Sequence, residues 1–311
     1  MMTSSTLPSR LLLFVAVVAA GCATDTRSPD PIVRLSSGGE IGRKLNPVWL
    51  AGGEIILFGG LRNGNWDLFA LDSAGQARPW GRDVVWEGTP AAWPGQDRVV
   101  FERFDRRAGA STMWSAGLDG SDERRLSART GFRPEPSPDG RRIAFDDGVE
   151  VEPGRTTHQL FVMDADGNRP RRLTATLSYD AAPSWSPDGA RLAFDSQRDD
   201  QDRDFNRARS EIYVTNADGT DQRRLTFLNA RSRYSAWSPR GDLIAFESNA
   251  PGNVELYVVP ANGGEPIRLT DSPGAERTPS WSLDGRRILY SYETDGRAEL
   301  RELRLPARQR R

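Results

Sequence analysis

The amino-acid sequence predicts an all-β fold, a six-bladed β-propeller made of four-stranded antiparallel blades. The main evidence is a repeat whose anchor positions, 49, 93, 136, 185, 237 and 281, are 43 to 52 residues apart. Short strand-like segments separated by turn-forming residues fill each repeat, and this length is typical of one propeller blade. The 311-residue chain also contains 30 Gly and 21 Pro, which favour short strands and frequent turns over long helices.

The clearest repeat begins at Trp185, which is followed by Ser-Pro-Asp-Gly at residues 186–189. Proline presets φ for the second position of a turn, and Gly189 accepts the backbone conformation at its end. Three further strands complete the repeat, and they are predicted at residues 192–195, 212–215 and 223–226.

Tryptophan returns at the anchor position of later repeats as Trp237 and Trp281, whereas Pro136 replaces it in the third repeat. The first two repeats, at Trp49 and Trp93, are degenerate copies. A tryptophan can stack on a sugar, but the regular position of these residues indicates that they pack between blades.

The last repeat lacks a fourth strand, because the chain beyond its predicted third strand at residues 300–303 ends in a basic tail at 307–311. Residues 33–36, Val-Arg-Leu-Ser, match the Arg-Leu-Thr fourth strand of other repeats. Pairing them with the last repeat would close the ring and remove an exposed sheet edge. We therefore predict one propeller over residues 31–306, closed by its N-terminal strand.

The N-terminal residues have the pattern of a secretory signal. Arg10 precedes an apolar run, residues 11–20, that is too short to span a bilayer. The small residues before Cys22, the only cysteine, resemble a bacterial lipobox, which implies a signal peptide over residues 1–21 and a lipid-modified Cys22. An ordinary secretory signal that leaves a free thiol is the alternative. Residues 22–30 are polar, and we predict that they tether the propeller to the outer membrane.

Composition argues against binding to nucleic acid or to anionic membranes, and it also excludes a disulfide framework. The formal net charge of −1 gives no bulk attraction to nucleic acid or to an anionic membrane surface. A single cysteine rules out an intramolecular disulfide framework. We expect a monomer without a cofactor that contacts the membrane only through its lipid anchor.

The Trp-Ser-Pro-Asp-Gly repeat at residues 185–189, with variants at 237–241 and 281–285, resembles the WD-like propeller repeats of the TolB family. The resemblance covers residues 31–306 and implies a periplasmic protein that binds other envelope proteins, as in the Tol-Pal system. The sequence departs from that family in one respect, because TolB carries an α/β domain before its propeller and we expect none in this chain. Similar repeats occur in propellers of prolyl-oligopeptidase-like hydrolases and some lyases, so an enzyme that processes carbohydrate or peptide is the alternative.

Antiparallel topology assigns the connections of every blade to two faces of the propeller. Turns between strands 1 and 2 and between strands 3 and 4 lie on one face, and all other connections lie on the second. Both long insertions, 147–157 and 197–209, share the second face, and loops commonly carry function. Residues just before first strands should ring the channel mouth on that face and bind a protein partner. Seven such residues are predicted: Arg133, Tyr179, Asp180, Arg233, Tyr234, Glu276 and Arg277.

A near match to a calcium-binding loop lies in the second insertion. Asp200, Asp202 and Asp204 have the spacing of ligands, and Glu211 stands at the twelfth position. However, Phe205 occupies the sixth position, where the sharp turn of such a loop needs glycine. Acidic residues also recur at the Glu211 position of other repeats, so we interpret Glu211 as structural and predict no metal.

His158 is the only histidine, and it begins a third strand on the face that carries the insertions. A Ser-His-Asp triad would have to use it, and the sequence contains no Gly-x-Ser-x-Gly element to supply the nucleophile. We assign no catalytic residue and interpret His158 as a rim residue. The alternatives are a lyase or hydrolase that uses His158 or a carboxylate at the channel mouth, and a receptor for a small ligand.

Overall fold

A computed structural model describes residues 32–36, 41–50, 53, 55–81, 87–105, 108–202 and 207–305, which fall in one compact unit, Ile32–Arg311. The strands in these ranges form six four-stranded antiparallel sheets, and none of these residues is helical. The predicted six-bladed propeller is therefore confirmed. Nowhere in these ranges does a helix reach the length and apolarity needed to cross a bilayer. The predicted signal peptide, Cys22, the tether and the basic tail lie outside the described residues.

The strands are numbered in chain order, and those of each blade run from the central channel outward. Blade one comprises β2 (Lys44–Trp49), β3 (Ile56–Arg62), β4 (Asn65–Leu71) and β5 (Ala77–Pro79). Blade two comprises β6 (Glu87–Trp93), β7 (Arg98–Asp105), β8 (Ala110–Gly117) and β9 (Arg124–Thr130). Blade three comprises β10 (Phe132–Pro136), β11 (Arg142–Glu152), β12 (Arg155–Asp164) and β13 (Arg171–Arg172). Blade four comprises β14 (Asp180–Trp185), β15 (Arg191–Ser196), β16 (Glu211–Asn216) and β17 (Arg223–Arg224). Blade five comprises β18 (Ser232–Trp237), β19 (Leu243–Ser248), β20 (Glu255–Pro260) and β21 (Ile267–Arg268). Blade six comprises β22 (Ala275–Trp281), β23 (Arg287–Thr294), β24 (Arg297–Arg304) and β1 (Ile32–Arg34).

The ring closes as predicted, because β1 is the outermost strand of the last blade. It pairs antiparallel with β24, and Ile32 lies opposite Leu303. Beyond the strand, the Leu35 amide donates to the carbonyl oxygen of Leu300 at 2.9 Å. The two ends of the domain are therefore held in one sheet.

The anchor tryptophans pack between blades, as their repeat position indicates. Trp185, Trp237 and Trp281 are only 5%, 7% and 8% exposed. Trp185 packs against Ala144 of blade three, and its indole nitrogen donates to the carbonyl oxygen of Glu135 in the same blade at 3.0 Å. This indole therefore contributes both apolar burial and a hydrogen bond to the joint between two blades.

The second blade departs from the predicted anchor by one residue. Counted from the irregularity in β6, Ala92 rather than Trp93 holds the anchor position, opposite Val99. Trp93 lies one residue further along, and its indole nitrogen donates to the carbonyl oxygen of Gly140 in the next blade at 3.0 Å. The shorter turn between β6 and β7 causes this displacement, so Trp93 still packs between blades but from a different position.

The recurrent Arg-x-Thr of the fourth strands has a structural role. In blade four, the Thr226 hydroxyl donates to Glu211 at 2.6 Å and Arg224 donates to the same carboxylate at 2.9 Å. Thr270, Arg268 and Glu255 repeat this arrangement in blade five at 2.7 and 2.9 Å. The acidic residue that begins each of these third strands therefore fixes the outermost strand, and Glu211 is structural as predicted.

Every innermost strand contains a β-bulge at a residue whose φ is positive although it is not glycine. The six residues have φ between 43° and 52°: Asn46, Thr89, Arg133, Ala182, Tyr234 and Thr278. The strand register shifts at each of these positions. Such a bulge bends the strand and redirects the side chains that follow it. Six bulges at one level therefore shape the channel wall.

Candidate functional site

Both insertions lie on one face, which we call the insertion face and define by residues 147–157 and 197–209. The first insertion is mostly a continuation of blade three, because β11 and β12 remain paired up to Glu152 and Arg155. The described part of the second insertion connects β15 to β16. The opposite face carries the Ser-Pro-Asp-Gly turns, and we call it the turn face.

Four buried carboxylates lie at equivalent positions of the second strands in blades two to five. They are Glu102, Asp146, Asp195 and Glu247, each at most 5% exposed. Each accepts the backbone N–H of the bulge residue in the next blade, at 3.2, 3.2, 3.4 and 2.8 Å respectively. The positive φ of the bulge thus orients an amide toward the neighbouring blade, and the carboxylate fastens the two blades together.

Arg133 and Asp146 form the best-defined ion pair at the channel. The Arg133 Nε and Nη2 atoms donate to the two carboxylate oxygens of Asp146 at 2.8 and 2.5 Å. Nη2 also donates to the hydroxyl oxygen of Tyr179 at 2.6 Å. A bidentate guanidinium–carboxylate pair is strong and directional, so it fixes both side chains at the channel mouth.

The other channel carboxylates have raised pKa values because they are buried. Burial raises the pKa of Asp195 to about 7, although the positive charge of Arg233 opposes this change. Burial likewise raises the pKa of Glu102 and that of Glu247. A guanidinium nitrogen of Arg277 lies 3.6 Å from a carboxylate oxygen of Glu247. The channel mouth therefore combines arginine side chains with buried carboxyl groups whose pKa values are raised.

The structure brings five of the seven predicted rim residues together at this mouth: Arg133, Tyr179, Arg233, Tyr234 and Arg277. The other two, Asp180 and Glu276, are wrongly predicted to line it, because both are 0% exposed. Asp180 accepts hydrogen bonds from Ser196 at 2.5 Å and Thr176 at 2.9 Å inside blade four. Both lie two residues before the bulge residue of their strand, Ala182 or Thr278, and their side chains face the blade interior rather than the channel.

Two exposed apolar side chains on the insertion face were not predicted from the sequence. Leu177 is 50% exposed and Phe227 is 72% exposed. Each lies in a connection that leads from a fourth strand to the next blade, shortly after the buried Thr174 or Thr226. The Arg224 guanidinium lies over the Phe227 ring at 4.5 Å. The sequence signal that would have found them is a large apolar residue in the short stretch after that threonine, one position later for Phe227 and three positions later for Leu177.

The channel also contains a cavity of about 280 Å³, which extends from Arg133 and Tyr234 toward Leu283 on the turn face. Its wall consists mainly of proline and small side chains from the six innermost strands. Glu135 is the carboxylate that lines it, and burial raises the pKa of Glu135 to about 7. Sequence analysis missed Glu135 because it stands where other repeats have Ser, Ala or Val.

The near match to a calcium loop forms ion pairs with arginine instead of a ligand shell. Asp200 binds Arg209 at 2.8 Å and Asp202 binds Arg207 at 3.1 Å. Within the described ranges, no group of three or more His, Cys, Asp or Glu residues is arranged to hold a metal ion. Asp204 lies outside those ranges.

His158 lies in β12, three residues after its start at Arg155, and beside the channel mouth. Its Nδ1 atom lies 2.6 Å from a carboxylate oxygen of Asp146. The ring is flanked by Phe132 and Tyr179, with both ring centroids 4.9 Å away. The imidazole is therefore held by a carboxylate and two aromatic rings.

Comparisons with known proteins agree with this architecture. The family model described as the TolB beta propeller domain matches residues 89–246 and 204–311. The Tol-Pal system protein TolB of Thioalkalivibrio sulfidiphilus is 32% identical over 164 residues, which are 47% of this chain and 36% of that protein. This chain spans less than half the length of the curated relatives that it matches.

Two solved structures illustrate the range of proteins that share the fold. A putative TolB from Agrobacterium tumefaciens has a TM-score of 0.59 and 23% identity, with 70% of this chain and 74% of that chain covered. A gluconolactonase from Xanthomonas campestris has a TM-score of 0.66 and 16% identity, with 88% and 89% covered. At such identities the likeness concerns the fold alone. The match to the family model covers well over half of the sequence, and the chain belongs to the TolB β-propeller domain family.

Proposed function

We propose that this chain is a bacterial cell-envelope lipoprotein that serves as a non-enzymatic, protein-binding scaffold. The observation that carries the proposal is the coincidence of an arginine- and tyrosine-lined mouth, two insertions and two exposed apolar side chains on one face. A curated relative named as a Tol-Pal system protein supports an envelope protein as the partner. In this proposal the protein is a monomer without a cofactor, on the periplasmic side of the outer membrane and anchored through Cys22.

Residue chemistry favours protein binding at the insertion face. Of the four large apolar side chains that are exposed in the described ranges, Leu177 and Phe227 lie on this face. Arg233, Tyr234 and Arg277 lie at the channel mouth of the same face. Aromatic residues and arginine are enriched in protein interfaces, and a tyrosine or arginine at a hot spot can contribute more than about 2 kcal/mol.

An enzyme that uses the channel carboxylates is the second candidate, and the raised pKa values of Asp195, Glu102 and Glu247 favour it. Each of these carboxylates, however, accepts a backbone N–H from the next blade. Their burial and these bonds are accounted for by the joint between blades. The scaffold is therefore the better supported function.

The first prediction concerns the double variant Leu177→Asp and Phe227→Asp. Both side chains are exposed, so we expect the free energy of unfolding to change by no more than about 0.5 kcal/mol. Capture of a protein partner from detergent-solubilised envelope should fall at least about tenfold, because the apolar contact is replaced by charge. Capture is measured by quantitative pull-down, and the recovered partner is then titrated against the purified variant.

Leu283→Asp is the matched control, since Leu283 is 71% exposed on the turn face. It should leave capture unchanged. Truncation of Arg233 and Tyr234 is a weaker test, because both residues interact with the buried Asp195 and Glu247 and would change stability as well. If Leu283→Asp abolishes capture and the double variant does not, the functional face is wrongly assigned.

The second prediction concerns the anchor. A Cys22→Ala variant should carry no lipid and should leave the membrane fraction, because the proposed acylation site is the only cysteine. Fractionation and mass spectrometry of the mature protein measure this directly. A variant that still sediments with membranes after a salt wash would contradict the lipoprotein assignment.

A further inference from the structure

A second cavity, of about 530 Å³, opens on the insertion face beside the channel mouth. It lies between the extended hairpin of blade three, the connection that enters blade four and the second insertion. Its wall includes His158, Thr157, Ser178, Gln197 and Gln201. Hydroxyl and amide groups of this kind both donate and accept hydrogen bonds, so the wall is polar without being dominated by one charge.

The charged residues that the structure describes around this cavity have partners of opposite sign. Asp200 binds Arg209 at 2.8 Å and Asp202 binds Arg207 at 3.1 Å. On the other side, Arg155 binds Glu152 at 3.0 Å and donates to the carbonyl oxygen of Leu177 at 2.7 Å. An ionic ligand is usually recognised by a charge that the protein holds ready for it. This wall therefore favours a neutral ligand over an ion.

His158 has a fixed orientation and a fixed tautomer in this wall. Burial would raise the pKa of Asp146, but the charge of Arg133 and the hydrogen bond to His158 together lower it, so Asp146 is ionised. An ionised carboxylate is an acceptor only, and Nδ1 of His158 must therefore carry the hydrogen of their 2.6 Å contact. The other ring nitrogen, Nε2, can then bond to a ligand in the cavity that His158 lines.

We propose that this cavity is a binding site for a small, uncharged and hydroxyl-rich molecule of the sugar class, with a ligand hydroxyl hydrogen-bonded to Nε2 of His158. The hydroxyls of Thr157 and Ser178 and the amide of Gln201 match the mixed donors and acceptors of a polyol. The site goes beyond the protein-binding function, since its ligand would enter a polar pocket, whose wall shares Leu177 with the exposed apolar surface of the insertion face.

The single histidine makes the test direct, because the whole chain labelled with ¹⁵N gives one pair of imidazole nitrogen signals. Glucose and N-acetylglucosamine are the neutral probes, and galacturonate and sulfate are the charged ones. We expect the neutral probes to move the Nε2 signal saturably and to leave Nδ1 protonated. A response to galacturonate or sulfate alone, or no response to any probe, would overturn the proposal.

Variants then locate the binding site by calorimetry with the same neutral probe. His158→Phe keeps a ring between Phe132 and Tyr179 but removes both ring nitrogens, and it should weaken binding about tenfold. Ser178→Ala removes one hydroxyl at the edge of the cavity and should weaken binding about threefold, which gives a reading even if His158→Phe does not fold. Asp218→Asn, in a turn-face loop, is the control and should bind as the unmodified chain does. Equal affinity in Ser178→Ala and the control would place the ligand elsewhere and overturn the assignment.

Discussion

Individual acidic residues in this propeller are stabilised in two different ways, and the pair Glu255 and Glu276 shows both. Each is 0% exposed. Glu255 accepts hydrogen bonds from Arg268 at 2.9 Å and Thr270 at 2.7 Å, and it remains ionised. Burial, and then the adjacent Glu255, raise the pKa of Glu276 to about 8, so Glu276 keeps its proton. One proton therefore prevents a repulsion between two buried charges.

The third prediction follows from this pair. The folded pKa of Glu276, about 8, lies above that of an unfolded chain. Its contribution to stability is therefore present at low pH and is lost as the pH rises through about 8. Glu276→Gln mimics the protonated acid, so its stability should depend less on pH. Between pH 5 and pH 9, the free energy of unfolding of the unmodified chain should fall by at least about 1.4 kcal/mol more than that of the variant. Denaturant titration at the two pH values measures the difference.

Glu255→Gln is the matched control, because it removes the charge that Arg268 binds rather than the proton. It should lower the unfolding midpoint at both pH values. Equal pH dependence in Glu276→Gln and the unmodified chain would show that Glu276 is not the proton carrier.

Among the secondary-structure elements, the innermost strands determine which side chains reach the channel. Side chains along a strand normally alternate between the two faces of the sheet. One extra residue at a bulge moves the side chains that follow it to the opposite face. The bulges in β14 and β22 therefore separate the buried Asp180 and Glu276 from the channel-lining residues that follow. The turn motifs and anchors were predictable because they are local patterns. The bulges were not, because their positive φ occurs at Asn, Thr, Arg, Ala and Tyr and never at glycine.

The same argument explains the errors at the candidate site. The five rim residues found at the mouth could be anticipated because topology places the beginning of every first strand there; four of them lie within those strands, and Tyr179 lies just before β14. Asp180 and Glu276 were misplaced because burial depends on the bulge. Glu135 and the setting of His158 depend on contacts between different blades, and a single sequence contains no record of such contacts.

The fourth prediction tests the bulge in β14. Ala182 has a φ of 51°, a conformation in which a Cβ costs roughly 1 kcal/mol or more. Ala193, which is 0% exposed in the adjacent β15, has no such strain. Ala182→Gly should therefore change the free energy of unfolding by less than about 0.5 kcal/mol, whereas Ala193→Gly should lower it by about 1.5 kcal/mol. Equal losses in the two variants, measured by urea denaturation, would argue against strain at the bulge.

For the whole molecule, closure of the ring depends on a short segment. Ile32 and Leu35 pack against apolar clusters in blades six and one. The Ser36 hydroxyl accepts the amide of Leu300 at 3.0 Å, and Arg34 forms an ion pair with Glu299. Residues distant in sequence thus hold the first and last strands together, and without them β24 would be an unpaired edge.

The last prediction compares two shortened chains. A chain that begins at Ile32 keeps the closing strand, so its denaturation midpoint should equal that of the longer chain. A chain that begins at Ser37 loses the strand, the Leu300 hydrogen bonds and the burial of Ile32 and Leu35. Burial of two large aliphatic side chains alone contributes about 3 kcal/mol, so its midpoint should fall clearly and the exposed edge should promote aggregation. Arg34→Ala, which removes a surface ion pair and a long hydrogen bond to the carbonyl oxygen of Ser36, should cost no more than about 1 kcal/mol. If the chain that begins at Ser37 unfolds at the same denaturant concentration as the one that begins at Ile32, the closing strand does not stabilise the propeller.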